Sequence, residues 1–137
     1  MLIDLSPFAK PRMTRSDKWK KRDVVQRYWK WKSQLQEFDI DFSHGEVGVI
    51  FYVPMPKSWS KSKKKLMNNT MHTQRPDIDN FIKALFDAVC EEDSHIHTIH
   101  AQKVWSYNGA IQINNSKTKY KNSSNICERF IFTQKNK

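Results

Sequence analysis

Cysteine, glycine and long apolar runs are all scarce in this chain, and each scarcity closes off a class of protein. The two cysteines, Cys90 and Cys127, sit in unrelated contexts, and no Cys-x-x-Cys pair occurs. That argues against a disulfide scaffold and a thiol-based metal or redox motif. Isolated thiols suit a reducing compartment, so the chain is read as cytoplasmic, although one disulfide stays open on sequence alone. Only three glycines are present, and no GxxxxGKS loop, so no nucleotide cofactor is expected. No run of about 18 apolar residues occurs, so no membrane span is expected. The first ten residues lack the charged start and apolar stretch of a secretion signal.

Acidic residues are also in the minority. Asp and Glu number 14 against 24 Lys and Arg, a net charge of +10. So large a surplus favours a polyanionic partner, and with no membrane segment that partner is read as nucleic acid. The 137 residues suit one domain, read as 1–137, with a polar tail after about residue 116 taken as partly disordered.

The patterning predicts an α+β fold. Leu2, Ile3 and Leu5 suggest a short strand. A basic loop with two prolines follows, carrying Lys10, Arg12 and Arg15. Thr14 and Asp17 have capping-box spacing. The helix after them runs to about Glu37, with Val24, Tyr28, Trp31, Leu35 and Phe38 on one face. Val47, Val49, Phe51 and Val53 predict an internal strand that Pro54 and Pro56 end. Lys57 to Asn68 is a very basic segment that can be helical. Pro76 to Cys90 is the clearest helix, striped by Ile78, Ile82, Leu85 and Val89, with Phe81 and Phe86 widening the stripe. Ile96 to Tyr107 reads as a strand. Asn108-Gly109 predicts a two-residue hairpin turn, with Ala110 to Asn114 as the return strand. Phe130 and Phe132 suggest a last edge strand. Helices packed on a mixed sheet containing that hairpin make one α+β layer.

The most informative segment is acidic. In a basic chain, Asp77 and Asp79 lie one residue apart in Arg75-Pro76-Asp77-Ile78-Asp79-Asn80-Phe81-Ile82-Lys83. Pro76 is tolerated in a first helical turn and disfavours helix at Arg75, so both carboxylates can converge at a helix N-terminus. Ionised carboxylates are favoured there and are what Mg²⁺ requires. The bland alternative is that either Asp simply caps the helix. Lys83 lies one turn beyond Asp79, placed for an ordinary ion pair with it or with Asp87, or for holding a phosphate. Glu92-Asp93 is a second acidic pair beyond the helix, and only tertiary folding can return it to the first.

Arg75 to Val89, followed by Glu92-Asp93-Ser94-His95-Ile96, resembles the signature of the RusA-type Holliday junction resolvases, found largely in phages and prophages. The shared pattern is Asp-x-Asp-Asn, a Lys four residues after the second Asp, Phe-Asp-Ala, and an acidic pair before a strand. Glu92 stands where Asp is more usual. The basic stretch from Lys10 to Arg15 resembles a segment of phage members. The resemblance implies a homodimeric RusA-like enzyme that cuts four-way DNA junctions with Mg²⁺, or Mn²⁺ in its place. By position, Asp77, Asp79 and Asp93 match metal-binding carboxylates, Lys83 matches a catalytic lysine, and Asp87 is read as structural. Lys10, Arg12, Arg15, Lys61, Lys63, Lys64, Lys65 and Arg75 are the expected phosphate contacts.

Other readings compete. His95, His97 and His100 invite zinc, but a polar sheet face is the simpler account. Trp31 belongs to the apolar stripe, whereas Trp29 and Trp59 stand beside lysines and suit DNA or dimer contacts. Pro76-Asp77 is reminiscent of restriction-type nucleases, but Ala101-Gln102-Lys103 lacks the acid that pattern requires. Three functions therefore stay open: a junction endonuclease, a noncatalytic nucleic-acid-binding accessory protein, and a flap- or fork-selective nuclease.

Overall fold

A computed structural model describes residues 1–12 and 22–114. Arg15, the Thr14–Asp17 capping box, Cys127, the tail after 116 and the strand expected at Phe130 and Phe132 lie outside the described residues. The elements are β1 (Leu2–Ile3), α1 (Asp23–Gln36), β2 (Glu46–Pro54), α2 (Lys61–Met67), α3 (Ile78–Val89), β3 (Thr98–Ser106) and β4 (Ala110–Asn114).

The sheet order is β1-β4-β2-β3. β2 is central as predicted, pairing with β3 in parallel and with β4 antiparallel, and β4 carries β1 antiparallel at the edge. This corrects one expectation. β3 and β4 do not form a hairpin; they lie on opposite sides of β2. Pro54 ends β2, and residues 107–109 carry the chain across that end. Met55 N–H donates to the Ser106 carbonyl at 2.9 Å and holds the crossing down. Crossing two strand spacings needs about 10 Å, within reach of three linking residues. Gly109 serves this passage, because any Cβ there would collide with the Ser6 side chain.

Alternation along β2 puts Val47, Val49 and Phe51 on the face that the helices cover, joined there by Ile3, Ile111 and Ile113. α1 meets that face through Tyr28, Trp31 and Leu35, and α3 through Phe81, Ala84, Leu85 and Phe86. Burying each large apolar side chain contributes about 1.5–3 kcal/mol. Two details depart from the expected helix stripes. Val25 is the buried valine of α1 rather than Val24, and Phe38, beyond the last turn, is 41% exposed. On α3 the fully covered line runs through Phe81, Leu85 and Ala88, with Ile78, Ile82 and Val89 at its margins. No helix among the described residues is long and apolar enough to cross a membrane.

Candidate active site at the start of the third helix

The chain reaches α3 from the edge of the sheet. Residues 69–72 run beside β3: Asn69 N–H donates to Trp105, Trp105 N–H to Thr70, and His72 N–H to Lys103. The segment then leaves the sheet at Thr73 and turns through Arg75 and Pro76 into Asp77, the N-cap. Asp77 has extended backbone (φ −68°, ψ 149°), and its carbonyl accepts from Asn80 and Phe81. Its carboxylate makes no capping hydrogen bond. The capping alternative therefore fails for Asp77, whose side chain stays exposed and uncommitted.

Asp79 stands in the first turn. Its carboxylate lies 3.5 Å from the Lys83 ammonium, and both side chains are more than 60% exposed. An exposed pair of this kind contributes little stability, about 0–1 kcal/mol. Its interest is chemical, because it puts a cation beside an acid in the first turns of α3.

Asp87, the other possible partner of Lys83, is occupied elsewhere. It accepts from the Tyr28 hydroxyl at 2.6 Å and pairs with Lys32 at 3.1 Å, joining α1 to α3. Burial pushes the Asp87 carboxyl up. The Tyr28 and Lys32 hydrogen bonds and the charges of Lys32 and Lys10 outweigh that, leaving it below its ordinary value. Burial first, and Asp87 second, raise the Tyr28 hydroxyl far above its usual range.

Asp93 is not brought to the pair. It follows Cys90, the C-cap of α3, whose thiol is pushed up by burial and by the charge of Asp93. The 12 residues of α3 span about 18 Å, so Asp93 and Asp77 belong to opposite ends of one helix. Among the described residues, no group of three or more His, Cys, Asp or Glu is placed to hold one metal ion. The donor chemistry fits Mg²⁺ through two carboxylates, an arrangement this ion commonly adopts while keeping several waters. His95 and His97 have partners of their own, the Phe42 carbonyl and the Thr98 hydroxyl.

The expected phosphate contacts fall into two groups. Lys10 and Arg75 flank α3: Lys10 N–H donates to the Asn80 carbonyl at 3.2 Å, and Arg75 is exposed two residues before Asp77. Arg12 lies nearby in chain, its carbonyl accepting from the Arg22 guanidinium at 2.7 Å. Lys61, Lys63, Lys64 and Lys65 line α2, a helix with no buried residue, capped by the Ser60 hydroxyl. Lys63 lies 4.3 Å over the Trp59 ring, and Trp59 packs on Trp105. Trp31 is core, as expected, and Trp29 is 45% exposed.

Sequence reasoning missed Lys103. Its ammonium donates to the carbonyls of Gln74 (2.6 Å) and Pro76 (2.7 Å). The signal was present: Ala101, Lys103 and Trp105 share one strand face, and a lysine between Ala and Trp is the odd member. His72, 3% exposed, was missed as well. Its ring packs 4.2 Å from Trp105, and its Nδ1 has no partner among the described residues. Burial, then the Lys103 charge, lowers its pKa against a smaller raising effect of a backbone hydrogen bond.

Fold and site together define a basic α+β protein that presents, at the start of α3, one uncommitted carboxylate, Asp77, and a second, Asp79, paired with Lys83. The chain belongs to the RusA endodeoxyribonuclease family: the family pattern described as Endodeoxyribonuclease RusA matches residues 7–114. It is also 33% identical over 73 residues to the uncharacterized protein YqaN of Bacillus subtilis (strain 168), a match covering 47% of this chain. The chain spans about half the length of that relative, 51%. No solved structure matches.

Proposed function

We propose that this protein is a divalent-metal-dependent endonuclease that resolves four-way DNA junctions by paired nicking. One observation carries the reading: Asp77 occupies a helix N-cap without using its carboxylate as a cap. A residue placed for capping that leaves the bond unmade is free for a ligand. Family membership supports the same activity.

Asp77 and Asp79 would hold Mg²⁺, or Mn²⁺, at the N-terminal end of α3. When bound, the ion supplies an activated water and neutralises charge on the scissile phosphate. Lys83, already drawn to Asp79, would move its ammonium onto a phosphate oxygen as charge builds there. Lys10 and Arg75 would hold the flanking phosphates. Lys61, Lys63, Lys64 and Lys65 would track the backbone of a junction arm.

A homodimer belongs to this proposal, because a junction has approximate twofold symmetry and a C₂ pair presents two equal sites. Asp93 enters the site in this reading only from a second copy, since its own chain holds it a helix length away.

The test is cleavage of a fixed-sequence four-way junction in Mg²⁺, with flap and linear duplex of matched sequence. Wild type is expected to nick the junction in pairs. Asp79→Asn is expected to lose cleavage by a hundredfold or more, about 3 kcal/mol or more of barrier, while binding the junction as well or better. Binding without cleavage in either Mg²⁺ or Mn²⁺ would leave a noncatalytic DNA-binding protein. Preference for the flap would move the substrate, not the chemistry. Asp93→Asn cutting at the wild-type rate would remove Asp93 from the site.

A further inference from the structure

Lys103 is in an unusual place. Register pairs it with Phe51, and Phe51 faces the helices, 5.2 Å from the Phe81 ring. Lys103 therefore rises from the apolar face of the sheet. A charge on that face is costly unless its donors are satisfied. Two of the three are met by main chain rather than by an acid: the Gln74 and Pro76 carbonyls accept at 2.6 and 2.7 Å.

These two carbonyls bracket Arg75 in the stretch between the sheet edge and α3, a stretch in neither helix nor strand. The second belongs to the peptide group that leads directly into Asp77. Drawing both oxygens to one ammonium sets the planes of the 74–75 and 76–77 peptide groups. The 76–77 plane in turn sets where the Asp77 Cα–Cβ bond points. β3 is anchored along its whole length to β2, so the clamp ties Asp77 to the most regular part of the fold.

We propose that Lys103 is a positioning residue of the aspartate site. It clamps the loop before α3 so that the Asp77 carboxylate is delivered to a bound cation rather than folded back as a helix cap. This rests on the nuclease reading for its purpose, though not for its geometry. The lysine supplies fixed donors and does not touch substrate or metal. It resembles the outer partners of metal ligands, whose loss typically lowers metal affinity about 10- to 100-fold.

The test uses Lys103→Met, which keeps the length of the side chain and removes the donors, and Lys103→Arg, which keeps donors and charge. Two quantities are read on the full chain without DNA: Mn²⁺ affinity, and amide hydrogen exchange at Asn80 and Phe81, whose N–H groups donate to the Asp77 carbonyl. Lys103→Met is expected to weaken Mn²⁺ binding about 10- to 100-fold. It should also speed exchange at these two amides while leaving exchange in β2 and α1 unchanged. Lys103→Arg is expected to recover at least part of both. A folded Lys103→Met protein with wild-type Mn²⁺ affinity and wild-type exchange would overturn the proposal. So would an Arg variant no better than Met. If Lys103→Met does not fold, Lys103→Gln replaces it, its amide able to reach only one of the two carbonyls. Wild-type protein that binds no Mn²⁺ would sink the nuclease reading instead, and the exchange comparison would still decide whether the clamp exists.

Discussion

Three aspartates of α3 look alike in sequence and do different work. Asp77 is uncommitted, Asp79 faces a lysine, and Asp87 is bound between Tyr28 and Lys32. Asp87→Asn is therefore expected to cost stability, about 1–3 kcal/mol for a hydrogen-bonded charge, with junction cleavage retained by the folded fraction. Urea denaturation and a cleavage assay on the same preparation check this. The lowered pKa of Asp87 also fixes a pH dependence. Its contribution is complete above the unfolded value near 3.9 and disappears as pH falls through the lower folded value. His72 acts in a higher window. Its folded pKa is depressed, so below about 6.5 the unfolded chain binds the proton more readily and stability falls with pH. Urea midpoints from pH 8 to 5 should decline in wild type, and His72→Leu should flatten that decline.

At the scale of elements, α2 and α3 are opposites. Leu85 of α3 is fully buried, and Leu85→Ala should cost about 2–5 kcal/mol. α2 buries nothing and carries four lysines, and Leu66 on it is 76% exposed. Changing Lys63, Lys64 and Lys65 together to Ala should leave the thermal midpoint nearly unmoved. Junction affinity should lose salt dependence, its logarithmic slope shrinking by about 0.9 per phosphate contact removed. Titrations at several salt concentrations read that slope. The elements themselves were legible. Periodicity located α3 and β2, prolines marked where β2 stops, and the Asp-x-Asp-Asn segment marked the candidate site. Strand order was not legible, because Asn-Gly reports only a tight reversal. Whether the reversal joins neighbours or steps over a third strand depends on β2, whose pairing is nonlocal. Lys103 escaped for a related reason: its partners are backbone carbonyls nearly 30 residues away, and carbonyls leave no trace in sequence. The separation of Asp93 from Asp77 follows from the length of α3, but it required knowing that the chain does not double back along that helix.

At the scale of the molecule, β4 is the strand on which assembly turns. It touches both β1 and β2, and without it β1 has no partner in the described sheet. Its register joins residue 2 to residue 112 and residue 48 to residue 114. Contacts so distant along the chain are slow to form, because a long loop must close before any bond rewards it. Refolding after dilution from urea should accordingly take milliseconds to seconds, without a microsecond phase that completes the sheet. The same arrangement has a meaning during synthesis. A ribosome exposes the aspartate segment and its lysine helix well before it releases the strand that closes the sheet behind them. The acidic turn is thus made early and given its rigid backing late, so a half-made chain carries the aspartate segment without the frame that fixes its direction.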